Sequence, residues 1–66
     1  MSRDDIEYLK NLPKDWWMNQ NTCVNVASLL EQYGYFTDKK QVIRFFEKPY
    51  KHQRLVADLI KDFEHD

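Results

Sequence analysis

Sixty-six residues suffice for one small domain, and a chain of this size buries only about 60% of the surface its unfolded state exposes, so its stability is narrow. A hydrophobic fraction of 42%, with 15% aromatic and 32% charged residues, excludes a disordered low-complexity chain, and a net charge of −1 excludes a polybasic arm or an acidic tail. A single cysteine excludes an internal disulfide; with no signal-peptide pattern and no apolar run of membrane-spanning length, the expectation is a reducing, cytoplasmic setting.

The only glycine and both prolines fall where helices must start or stop, and no stretch alternates at period two, which predicts an all-α fold. The first helix is expected over 2–12: Ser2 with Asp5 is a variant capping box, Ile6 and Leu9 begin an apolar stripe, and Pro13 disfavours helix before it. Residues 13–21, PKDWWMNQN, have turn residues at both ends and no period; they are expected as a connection folded over the core, with room for one helical turn.

Cys23, Val26, Ala27 and Leu30 recur at i, i+3, i+4 and i+7, flanked by Leu29 and Tyr33, and predict a helix over 22–33 that Gly34 terminates. Thr37 is expected to cap the third helix, 38–47, with Asp38 in its first turn against the positive end of the dipole. Its apolar residues Val42, Ile43, Phe45 and Phe46 span about 160° at about 100° per residue, which predicts a central helix packed on more than one neighbour. Pro49 breaks that helix and serves as the first residue of a fourth, 50–64, whose buried face is Leu55, Val56, Leu59, Ile60 and Phe63. The whole is a compact bundle of three to four short helices.

Little catalytic chemistry is available. Cys23 with His52 or His65 has the residue types of a nucleophile and base, but Cys23 lies on an apolar stripe, where a free cysteine behaves as a small buried hydrophobe. The same three residues are too few and too scattered for a structural zinc site. One glycine leaves no phosphate-binding loop, and Asp58, Asp62 and Asp66, four apart, read as a solvated helix face. The expectation is a non-enzymatic chain with no metal and no cofactor.

Two surfaces remain as candidates. Trp16 and Trp17 are adjacent and cannot easily both enter one core, so one ring is expected inside and the other across its lid; with Tyr35 and Tyr50, Trp17 outlines an aromatic surface for a protein partner, as in a small adaptor or inhibitor. Charge is distributed unevenly: residues 37–54 hold six bases and two acids, whereas 55–66 hold one base and four acids. Lys40, Gln41, Arg44 and Lys48 share the arc of the third helix left free by its apolar residues, and Lys51 and Arg54 follow. A capped, net positive helix after a short glycine-containing turn is what a helix-turn-helix DNA reader requires, with cations on phosphates and Gln41 or Arg44 reaching base edges.

Residues 36–48, FTDKKQVIRFFEK, resemble the recognition-helix segment of AraC-type transcription regulators, on Phe36, Thr37, Asp38, Val42, Arg44 and Phe46. The likeness covers about a fifth of the chain. An extra residue separates Gly34 from Phe36, the alanine that family places four residues before the glycine is missing, and no second reading domain is present. The likeness implies DNA binding through this helix. In that reading a homodimer is expected, because one short helix gives little affinity and site length alone.

Overall fold

A computed structural model describes residues 2–64. His65 and Asp66, weighed above as a thiol base and as part of an acidic row, lie outside the described residues. Among the described residues the chain is entirely helical and turn: α1 (Arg3–Lys10), a 3-10 turn (Trp16–Met18), α2 (Gln20–Gln32), α3 (Lys39–Glu47), a second 3-10 turn (Pro49–His52) and α4 (Gln53–Glu64). The all-α bundle expected from periodicity is therefore present, and no helix is long and apolar enough to cross a membrane.

The helix ends explain where the boundaries fall. The expected box of Ser2 and Asp5 does not form: the Tyr33 hydroxyl accepts from the Ser2 N–H at 3.2 Å and donates to the Asp5 carboxylate. A phenol from the end of α2 thus does the work of the box and ties α2 to the start of α1. Helix α2 begins two residues before the expected position, because Asn19 caps it by accepting the Thr22 N–H at 3.2 Å.

Its other end is a Schellman turn. The Tyr35 N–H donates to the Leu30 carbonyl at 2.8 Å, the Gly34 N–H to that of Glu31 at 3.1 Å, and Gly34 takes φ +83°, a conformation costly for any residue with a Cβ.

Asp38, not Thr37, caps α3. Its carboxylate accepts the Gln41 N–H at 3.0 Å, and the Gln41 side-chain carbonyl accepts from the N–H groups of Thr37 and Asp38 at 2.6 and 3.4 Å. Pro49 opens a 3-10 turn rather than α4 itself. Lys48 before it is pushed out of helical backbone (φ −141°, ψ 69°), and α-helix resumes only at Gln53.

The core gathers Ile6 and Leu9 of α1, Cys23, Val26, Ala27 and Leu30 of α2, Val56 and Leu59 of α4, and the aromatic rings of Trp16, Phe36 and Phe45. Phe45, with no exposed surface, is its hub. Trp16 stacks on it at 6.0 Å between ring centres, while Phe36 and His52 meet it edge-on at 5.7 and 5.2 Å. Trp16 is the inner ring of the tryptophan pair, and half-buried Trp17 lies edge-on against it at 5.7 Å.

The bundle measures 31 × 26 × 17 Å, so across its thin dimension it is about two helices deep. Helix α2 packs on α3, α4 and the first 3-10 turn, and α1 packs on α4; α3 has α2 as its main helical neighbour and otherwise meets the turn that follows it. Through Phe45, α3 also meets Trp16 of the first 3-10 turn, so it packs on more than one neighbour. One sector is covered, and Ile43 and Phe46 stand 56% and 45% exposed.

Candidate nucleic-acid interface

Helix α3 presents its residues in rows four apart, because four residues turn the helix by only about 40° beyond a full circle. One row, Gln41 and Phe45, faces inward. The row Lys40, Arg44, Lys48 is basic and exposed throughout. Between these lie Lys39, Ile43, Glu47 and, nearer the core, Val42 and Phe46.

Arg44, Lys48 and Lys51 come together around one shallow depression of about 370 Å³, with Glu47 and His52 on its wall. The Lys48 carbonyl accepts a hydrogen bond from His52 Nδ1 at 3.1 Å; a carbonyl only accepts, so this nitrogen carries the proton. That bond and the edge-on contact with Phe45 make His52 the pin that holds the second 3-10 turn, and with it Lys51, against the end of α3. Among the described residues the ion pair found is Lys10 with Glu64. Among the described residues, the cations on α3 and in the turn after it have no acid within ion-pair distance.

The other expected site residues fall elsewhere. Gln41 is half-buried and its amide carbonyl is committed to the cap of α3, so it holds the helix start instead of reaching outward. Arg54 is exposed in the first turn of α4 and does not line the depression. Of the aromatic surface, Trp17 is half-buried against Trp16, and Tyr35 is half-buried with its hydroxyl on Asp62 of α4; Tyr50 is 48% exposed. Burial and the Asp62 carboxylate push the Tyr35 phenol up to about 12.

The contiguous apolar surface is instead Ile43 and Phe46, which sequence reasoning assigned to the core. The available signal was the 160° width of the apolar arc, more than one neighbouring helix covers.

Cys23 and His52 are each engaged by a main-chain carbonyl: the Cys23 thiol donates to Trp17 O at 3.3 Å, and His52 to Lys48. Among the described residues no cluster of three or more metal-ligating side chains occurs.

Compared with protein-family models, curated proteins and solved structures, the chain matches none. The likeness of residues 36–48 to AraC-type regulators thus rests on the quoted residues alone, of which Asp38 serves the cap and Phe46 is 45% exposed.

Proposed function

We propose that this chain is a non-enzymatic DNA-binding module that meets the phosphate backbone with the basic row of α3. The observation that carries this reading is the exposed basic row Lys40, Arg44, Lys48 of α3, with Arg44, Lys48 and Lys51 gathered around one depression, in a chain whose net charge is −1. A local concentration of cations on a helix is the electrostatic footprint of phosphate binding. With Gln41 held in the cap, Lys40, Arg44, Lys48 and Lys51 all meet phosphates, and these contacts position the helix.

The test is a titration of labelled duplex DNA of random sequence at two salt concentrations. Four phosphate contacts predict a loss of roughly 100-fold in affinity between about 50 mM and 200 mM salt. Arg44→Ala should weaken binding and reduce the slope of log affinity against log salt by about 0.9. Binding absent at the lower salt overturns the proposal.

A protein-binding reading, as an adaptor or inhibitor, is favoured by one observation, the exposed Ile43 and Phe46. It predicts salt-tolerant association lost in Phe46→Ala and unaffected by Arg44→Ala.

A further inference from the structure

The exposed apolar side chains of α3 and its following turn are Ile43, Phe46 and Tyr50, at 56%, 45% and 48% exposure. Ile43 and Phe46 are not scattered singly: on a helix, i and i+3 are neighbours on one face, and Tyr50 lies in the turn that follows. Ile43 also forms one wall of a groove of about 480 Å³ between the end of α2 and the start of α3, floored by Phe36 and Val42 and rimmed by Glu31, Asp38 and Lys39. Such a surface calls for an occupant, and its own pattern names one.

We infer that α3 pairs antiparallel with α3 of a second copy of this chain, about a two-fold axis through Ile43. Lys39, Ile43 and Glu47 occupy a single row, and a two-fold through its middle lays Ile43 on the partner's Ile43. The same operation brings Lys39 to the partner's Glu47 and Glu47 to the partner's Lys39, so the only acid on the outer side of the helix meets a cation at both ends. Phe46 and the partner's Phe46 fall together on the side of the axis away from the basic rows, where two apolar rings cover each other. A self-complementary patch of this kind is what an isologous dimer needs.

The pairing does not depend on the nucleic-acid reading, but it adds to it. An axis perpendicular to both helices leaves the direction along itself unchanged, so the row Lys40, Arg44, Lys48 of one copy and that of its partner face the same side. Two basic helices then lie side by side on one face, related by the symmetry a palindromic duplex site carries.

The experiment is sedimentation of the intact chain, without nucleic acid, from about 1 μM to about 1 mM, the range in which small interfaces associate. The expected result is a monomer–dimer equilibrium. Ile43→Glu should raise its dissociation constant at least about tenfold by placing a charge in the apolar contact. Lys39→Glu or Glu47→Lys alone should raise it about threefold to tenfold, because symmetry repeats each ion pair. The double variant carrying both reversals should return to the wild-type value. Circular dichroism melts check that each variant keeps its fold, and all these positions are exposed.

A monomer across the whole range overturns the inference, as does a double variant no tighter than either single one. A monomer whose Phe46 instead engages vesicles of anionic phospholipid overturns it in favour of a lipid surface. Since no DNA is present, failure here is distinct from failure of the phosphate titration.

Discussion

Phe45 and Phe46 are neighbours in the chain, yet Phe45 is fully buried at the centre of four aromatic contacts while Phe46 is 45% exposed. The difference is one of angle. A step of about 100° carries Phe46 out of the sector that α2 and the 3-10 turns cover, and in a bundle two helices deep nothing else lies behind it. Hydrophobic character gives a side chain a reason to be buried; the number of neighbouring elements decides whether it is.

The widest separation between the two sides comes from truncation. Phe45→Ala removes the ring on which Trp16, Phe36 and His52 rest and is expected to cost about 3–5 kcal/mol. In a chain of this size that is most of the stability, so urea denaturation should find the variant largely unfolded. Asp38→Ala, which opens the cap at the start of the same helix, is expected to cost about 1 kcal/mol, read as a lower midpoint with an unchanged slope. Phe46→Ala should change monomer stability by under about 0.5 kcal/mol; a loss as large as that of Phe45→Ala would erase the distinction between the two sides.

A pH-dependent effect lies where the buried side meets α4. The Tyr35 phenol, raised to about 12 by burial and by Asp62, binds its proton more tightly folded than unfolded. Its contribution to stability is therefore present below about pH 10 and is lost as pH climbs from there to about 12. Tyr35→Phe should flatten that decline in pH-dependent urea melts, and an unchanged slope would show that the Asp62 contact does not hold the phenol's proton.

The fold was legible because punctuation and period agreed. Gly34, Pro13 and Pro49 sit at or beside helix ends, and the i, i+3, i+4, i+7 run from Cys23 to Leu30 is buried as its spacing requires. The ends were less legible because side chains from elsewhere serve them: Tyr33, 31 residues from Ser2, supplies what a local box would have supplied. The Asp38–Gln41 cap was local and readable, since an acid followed three residues later by Gln is a capping signature; the competing attraction was Gln41 as a base reader.

At the candidate site, the grouping of Arg44, Lys48 and Lys51 was legible from spacing and charge. The exposure of Ile43 was not, since an apolar residue four before Glu47 on a helix reads the same whether or not a neighbour covers it.

Cys23 sits in the first turn of α2, where a helix N-terminus ordinarily favours thiolate, yet burial pushes its thiol up. With 4% of its surface exposed and its hydrogen directed at the Trp17 carbonyl, it meets a modifying reagent only when α2 and the turn beneath it part. Each labelled thiol would then record one such parting, making the chain's single sulfhydryl a clock for the local breathing of its own interior.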